Sequence, residues 1–270
     1  DDTVVIGHLG RLAPEKNLAS GILAILSGAD AVYIGPYQFG ARAKVGNSLE
    51  DIQELISFAD QYYARVYATI NTLLFDDEME AAVTLVHQLY DAGISGIIIQ
   101  DMGLLECKLP PVPLIASTQC FVNTPAKAMF FQRLGLQRII LPRELSLQQI
   151  QEIRTTAVDI ELEYFIHGAL CVSYSGQCYM SYALGGRSGN RGVCAQPCRK
   201  KFSIYTTDGK LIGKNKHFLS LKDMSQADNL EALIDAGINS FKIEGRLKDE
   251  NYIKNIVGFY RQKIDELLER

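Results

Sequence analysis

The 270-residue chain has no apolar run approaching the roughly 18 residues that a membrane span requires. Its first residues lack the basic-then-apolar layout of a signal peptide. Neither a membrane partner nor export is expected, and the expected location is the cytoplasm. Strong charge of one sign is missing as well. The formal net charge is −4, so there is no overall attraction to nucleic acid and only a local basic patch could supply one. Two hydrolase signatures are also absent. Ser173 and Ser175 lie in Val-Ser-Tyr-Ser-Gly rather than in a G-x-S-x-G elbow, and no H-E-x-x-H zinc helix occurs.

Hydrophobic residues make up 47% of the chain and charged residues 21%, enough to bury a sizeable core in one domain spanning residues 1–270. The six cysteines are expected as thiols, because a reducing compartment disfavours disulfides and a core of this size needs no staples.

A repeated phrase organises the chain. Four times an apolar helix pattern ends at a glycine and is followed by a short β-branched run: Gly28 before Ala31-Val-Tyr-Ile-Gly35, Gly93 before Gly96-Ile-Ile-Ile-Gln-Asp101, Gly135 before Arg138-Ile-Ile-Leu-Pro142, and Gly237 before Ser240-Phe-Lys-Ile-Glu-Gly245. Glycine just past a helix accepts the left-handed cap, and a continuous apolar strand suits a parallel sheet buried on both faces. Further strands read at Val4 to Leu9, Arg65 to Ile70, Leu114 to Thr118 and Ile160 to Ile166. Helices read at about 17 to 27, 48 to 62, 77 to 91, 124 to 133, 146 to 157, 226 to 236 and 249 to 269. Eight strands alternating with helices predict an α/β fold of the (β/α)8 TIM-like barrel type. An open sheet is the runner-up, because the stretch from Asp101 to Leu114 is short for a crossover helix.

Residues from about 169 to 217 break this rhythm. They hold four of the six cysteines, many Gly, Ser and Arg residues, and a hairpin signal at Asp208-Gly209. An insertion directly after the strand ending near His167 falls at the C-terminal mouth of a barrel, where such enzymes build their sites.

The spacing is Cys171-x6-Cys178-x15-Cys194-x3-Cys198. Thiolates are soft ligands, and four of them complete the shell of a zinc ion or an iron-sulfur cluster. The x6 spacing departs from paired zinc knuckles and suits a 4Fe-4S cluster, with zinc as the alternative. Cys107 and Cys120 stand alone and read as buried thiols.

Alternation along Ile160-Glu-Leu-Glu-Tyr-Phe-Ile-His167 puts Glu163 and His167 on the lumen side, near the mouth, as candidates for proton transfer or substrate binding. The same parity turns Lys242 and Glu244 inward, with Arg246 just beyond. Arg143, Glu144 and Asp101 also sit at strand ends, where helix capping is the alternative role for the acids. Arg187 and Arg191 in the insertion are candidates to bind the carboxylate or phosphate of a cofactor or substrate, or are simply solvated. The remaining peptidase arrangement is Cys171 as nucleophile with His167 as base, which conflicts with Cys171 ligating a metal.

The run Glu163-Tyr-Phe-Ile-His-Gly-Ala-Leu-Cys-Val-Ser-Tyr-Ser-Gly-Gln-Cys-Tyr-Met-Ser181 closely resembles the signature of peptidase family U32, the collagenase-like proteases. Supporting phrases include Gln100-Asp-Met-Gly103, Ala116-Ser-Thr-Gln119, Leu141-Pro-Arg-Glu-Leu145, Gly186-Arg-Ser-Gly-Asn-Arg-Gly192, Cys194-Ala-Gln-Pro-Cys-Arg199 and Lys242-Ile-Glu-Gly-Arg246. The resemblance implies a barrel-like catalytic domain and two competing activities. One is cleavage of collagen-like peptides. The other is oxygen-independent hydroxylation of tRNA, ribosomal RNA or ubiquinone with a cysteine-ligated 4Fe-4S cluster and, for RNA, prephenate as co-substrate. By position, Cys171, Cys178 and Cys194 match family cysteines, and Cys198 is the nearby candidate for a fourth ligand. Leu12-Ala-Pro-Glu-Lys-Asn17 departs from the usual Leu-Ala-Pro-Ala phrase. Relatives continue past the final helix, so the chain is expected to be the catalytic piece of a longer protein. A purely structural metal in a binding or assembly protein is the third possibility.

Overall fold

The computed structural model describes residues 5–11, 17–40, 46–246 and 248–269, with side chains over 18–40, 46–245 and 248–269. The departure at Leu12 to Lys16 and the side chain of Arg246 therefore lie outside the described residues.

Eight parallel strands form the frame: β1 (Val5–Arg11), β2 (Ala31–Ile34), β3 (Arg65–Ile70), β4 (Gly96–Ile99), β5 (Leu114–Ala116), β6 (Arg138–Ile140), β7 (Glu161–Gly168) and β11 (Ser240–Arg246). They alternate with α1 (Asn17–Leu26), α2 (Leu49–Asp60), α3 (Met79–Asp91), α4 (Pro125–Arg133), α5 (Leu147–Thr156), α7 (Leu230–Asp235) and α8 (Glu250–Leu268). Each strand follows its predecessor in the sheet, and β7 pairs with both β6 and β11 while β11 pairs with β1. Every one of the eight thus has a parallel neighbour on both sides, and the sheet curls back on itself into a barrel-like α/β fold. The short connection between β4 and β5 contains a 3-10 turn at Met102–Glu106, in the stretch from Asp101 to Leu114 where no crossover helix is expected.

Local chemistry explains the element boundaries. Ser48 and Ser146 open α2 and α5 with reciprocal capping boxes, and Thr124 and Asp249 cap α4 and α8. The four glycines of the repeated phrase all have positive φ, from 82° at Gly135 to 101° at Gly28, which lets the chain turn straight from helix into strand. Apolar residues on the outer strand face and the inner helix faces form the main core, including Ile97, Leu162, Ile243, Val257 and Tyr260. A second, smaller cluster of Tyr33, Tyr67, Ile98, Ile115, Ile140 and Phe165 fills the inside of the ring.

Residues 169–223 interrupt the alternation with α6 (Met180–Gly185), β8 (Phe202–Tyr205) and β9 (Leu211–Lys216), and then β10 (Met224–Ser225) adds antiparallel to the end of β7. The Asp208-Gly209 hairpin forms as expected, with Gly209 at φ 87°.

Candidate active site

Above the aromatic plug the ring opens into a cavity of about 300 Å³. Its walls come from β2, from Thr69 of β3, Ile98 of β4, Ile140 of β6 and Phe165 of β7, from Arg143, Lys242 and Glu244, and from the residues following β5 and β7. Cys171, Cys178, Cys194 and Cys198 all line this cavity. Cys171 is exposed and the other three are half-buried, all as free thiols. The thiol of Cys198 is raised by burial and then by the nearness of Cys171, Cys194 and Cys178, against a lowering by Arg199. Among the described residues, no three His, Cys, Asp or Glu side chains gather around one point suited to a single metal ion.

Specific contacts seat this cysteine-bearing segment over the strands. Glu144 accepts from the Ser175 backbone N–H at 2.7 Å and its hydroxyl at 3.1 Å, which is a tether rather than a helix cap. Gly176 has φ 70°, and a Cβ there would lie 2.0 Å from the Gln119 carbonyl, so only glycine allows this approach. Arg191 donates to both carboxylate oxygens of Glu78, at 2.9 and 2.6 Å, and to the Leu73 carbonyl, while stacking on Phe75. Arg187 donates to the Val193 carbonyl at 2.8 Å and to that of Cys194. Neither arginine, each a candidate for binding a cofactor or substrate, is among the residues lining the cavity. Arg191 is a latch already occupied by Glu78, and Arg187 braces the backbone that presents Cys194.

Beneath the cavity, Glu163 is fully buried and accepts four hydrogen bonds: from Tyr33 Oη at 2.7 Å, Lys242 Nζ at 2.9 Å, Arg138 at 3.1 Å and Ser240 Oγ at 3.2 Å. Burial alone would raise its pKa. The charges of Lys242 and Arg138 outweigh that and hold the carboxyl below its ordinary value, so Glu163 is ionised and saturated with donors. A carboxylate in this state is a structural keystone rather than a proton carrier. Lys242 also lies 3.4 Å from the centroid of the Tyr33 ring, and burial lowers its pKa with Glu163 opposing. One layer nearer the mouth, Arg143 bonds Glu244 at 3.1 Å and covers the face of Phe165 at 3.5 Å. This pair, with Lys242, is the ionic chemistry exposed to the cavity.

His167 does not join them, which corrects the expectation from strand parity. Strands β7 and β11 pair in step from Glu163 with Ser240 to Phe165 with Lys242, then slip so that His167 pairs with Ile243. This bulge turns His167 away from the lumen toward α8, where its Nδ1 meets Tyr260 Oη at 3.1 Å and its ring faces Tyr252. Asp101 takes the capping role, accepting from Gly103 N–H and from Leu74 N–H, both at 2.9 Å. Cys120, expected as a buried thiol, is half-buried, its pKa pushed up to about 12 chiefly by desolvation.

Sequence reasoning missed Arg138, Tyr33 and the neutral wall of the cavity, where Asn71 donates to Ser117 and the buried Gln119 Oε1 has no hydrogen-bond partner among the described residues. A lone arginine opening an otherwise apolar strand was the available signal for Arg138, since it must find a buried acid.

A barrel-like α/β frame carrying a thiol-rich cover over a charged cavity defines an enzyme of the barrel class. The chain belongs to peptidase family U32, whose family model matches residues 16–270. It is 51% identical over 267 residues to the 23S rRNA 5-hydroxycytidine C2501 synthase of Escherichia coli, covering 99% of this chain and 41% of that protein. It is 38% identical to tRNA hydroxylation protein P1 of Bacillus subtilis, covering 94% of this chain and 62% of the relative. It is also 30% identical to a collagenase of Porphyromonas gingivalis, over 94% and 65% of the two chains. The chain thus spans less than two thirds of each of these relatives. A solved U32 peptidase superimposes with a TM-score of 0.55 over 90% of this chain and 92% of that one, at 16% identity, a likeness of fold. Among the described residues no helix is long and apolar enough to cross a membrane.

Proposed function

We propose that this chain is the catalytic part of an RNA hydroxylase built on a (β/α)8-type barrel, with a 4Fe-4S cluster held by Cys171, Cys178, Cys194 and Cys198 and prephenate as hydroxyl source. The observation that carries the reading is the presence of all four thiols on the wall of the cavity that also exposes Arg143, Glu244 and Lys242. Four thiolates can complete the shell of a multi-iron cluster or of one zinc ion, and the six-residue gap between Cys171 and Cys178 favours the cluster over paired zinc knuckles. When bound, such a cluster supplies electron transfer next to the substrate.

The chain's own residues do the positioning. Arg143, held flat on Phe165 and bonded to Glu244, offers a fixed positive charge to the carboxylate of a small acid. Lys242, tied to Glu163, cannot swing away and keeps the cavity floor polar. A space of about 300 Å³ admits a small molecule or one splayed base, not a folded RNA, so the nucleotide to be modified must leave its stack.

Anaerobic purification with iron reconstitution tests the proposal. Brown protein with charge-transfer absorption is expected, lost in Cys194→Ala, together with hydroxylated nucleoside in RNA recovered from cells carrying the intact protein. Protein that stays colourless after reconstitution overturns it. The peptidase alternative requires a Cys171 and His167 dyad, yet His167 is turned toward Tyr260 and does not line the cavity. Gelatin cleavage abolished by Cys171→Ala and by His167→Ala would reinstate that alternative.

A further inference from the structure

The catalytic reading leaves unused a strongly charged segment beside the cavity. Residues 200–222 carry six lysines (Lys200, Lys201, Lys210, Lys214, Lys216 and Lys222) against one acid, Asp208, in a chain whose formal net charge is −4. All six lysines are exposed, and among the described residues none is in an ion pair. Charge of one sign gathered on a short segment of an acidic protein is not a requirement of folding, since it repels itself.

The same segment is the two-stranded ribbon β8–β9, and it is unusually bare. Ile204, Tyr205, Leu211, Ile212 and Phe218 are exposed, and the pairing slips twice between Phe202 and Tyr205. A two-stranded ribbon is marginal in water without a partner on one face, and apolar side chains set among charges mark a contact surface. Its base is fixed to the rim of the cavity. Arg199, next to the cavity-lining Cys198, donates to the Leu170 carbonyl, to Ser220 Oγ at 2.9 Å and to the Leu221 carbonyl at 3.0 Å, and its own carbonyl meets His217 Nδ1 at 3.0 Å.

We propose that the β8–β9 ribbon is the RNA-docking surface, its lysines following the phosphate backbone of a single-stranded segment and Tyr205 and Phe218 stacking on bases. The inference rests on the RNA reading above and deepens it by naming where RNA is held. Lysines supply backbone affinity without sequence preference, and exposed aromatic rings supply a platform on which bases stack. Attachment at Arg199 holds the bound strand beside the cavity, within reach of an unstacked base.

The test measures binding of a labelled single-stranded RNA of mixed sequence to the full chain by fluorescence anisotropy, over a range of salt near 0.1 M. The variant combining Lys210→Glu, Lys214→Glu and Lys216→Glu is expected to bind at least tenfold more weakly. Its slope of log affinity against log salt should fall by about 2, at roughly 0.7 for each phosphate that a lysine no longer neutralises. A control with Lys108→Glu and Lys254→Glu, exposed lysines outside the ribbon, should stay within twofold. If charge reversal disturbs folding in the melting curve, the Lys→Gln set replaces it and should show the same order. Unchanged affinity and slope in the ribbon variants, or no RNA binding by the intact chain, overturns the proposal. So does a ribbon variant that releases phosphatidylglycerol vesicles but keeps RNA, which would make the partner a lipid surface. Iron-sulfur absorption is read on the same samples. A ribbon variant that keeps the cluster but no longer binds RNA supports docking. A colourless intact chain that still holds RNA through the ribbon overturns the cluster reading and leaves docking standing.

Discussion

Lys242 and Glu163 meet at 2.9 Å inside the ring at the floor of the cavity, their side chains 4% and 0% exposed. The pair joins the last parallel strand to the strand that leads into the cysteine-rich segment, directly under the cavity. Arg138 and Tyr33 complete the contacts of the carboxylate from two other strands. Replacing Glu163 by Gln would strand the buried Lys242, although Arg138 would keep Glu161 at 2.7 Å, and removing one partner of such a network costs about 3–5 kcal/mol. That is a large part of a typical domain's total stability. Urea denaturation of Glu163→Gln should show this loss, whereas Ser240→Ala, which removes one donor of four, should cost about 1 kcal/mol. Equal midpoints for Glu163→Gln and the wild type would refute the keystone role.

The pKa of His167 is lowered from 6.5 chiefly by burial, and Lys248 lowers it further while Asp223 opposes. Tyr252 and Tyr260, which face the ring, remain neutral here because burial raises both. The folded state therefore binds the imidazole proton less readily than the unfolded chain does. The stabilisation is fully present above the unfolded pKa and is lost as pH falls from about 6.5 through the lower folded value. Thermal melts between pH 7.5 and 5 should show a decline that His167→Asn removes. Because His167 lies off the cavity, iron binding by that variant should match the wild type.

Arg191 and Glu78 latch the cysteine-bearing segment to the loop after β3. Both side chains are partly exposed, so Arg191→Ala should lower global stability by only about 1 kcal/mol or less. The local effect should be larger, because the hydrogen bond from Leu73 N–H to the Asn190 carbonyl is then no longer braced. Limited proteolysis should cut residues 169–217 faster in Arg191→Ala and equally fast in Glu78→Ala. If the double variant is cut much faster than either single one, the two side chains do not act as one latch.

Gly176→Ala would drive a methyl group into the Gln119 carbonyl in a backbone conformation that L-residues avoid. We expect a loss of more than about 1 kcal/mol and displacement of the segment between Cys171 and Cys178. Iron content after reconstitution should fall while the far-ultraviolet spectrum of the frame persists. Full iron occupancy in Gly176→Ala would show that this seat does not organise the thiols.

Legibility varies with the range of the interaction. The span Arg65 to Ile70 is legible to the residue, and α2 and α5 lie within the predicted stretches because serine caps and apolar periodicity act over a few residues. Lys242 and Glu244 face inward as expected for the same reason, as alternation holds wherever the hydrogen-bond ladder is regular. Alternation fails at His167, where one slipped residue moves the ring to the opposite face. Arg187 and Arg191 read as ligand sites because an arginine advertises its charge locally and its partner only through the fold.

By itself the amino-acid sequence determined the alternation of strands and helices, the grouping of four thiols in one inserted segment and the basic ribbon that follows them. Those features depend on neighbours a few positions away along the chain. Tertiary structure alone decided that the sheet curls until β11 meets β1, that Tyr33 and Arg138 converge on Glu163, and that Glu78 claims Arg191. Tyr33 and Glu163 lie 130 residues apart and the paired residues of β1 and β11 farther still, and their meeting follows from burial and charge neutralisation across the whole fold rather than from any local pattern.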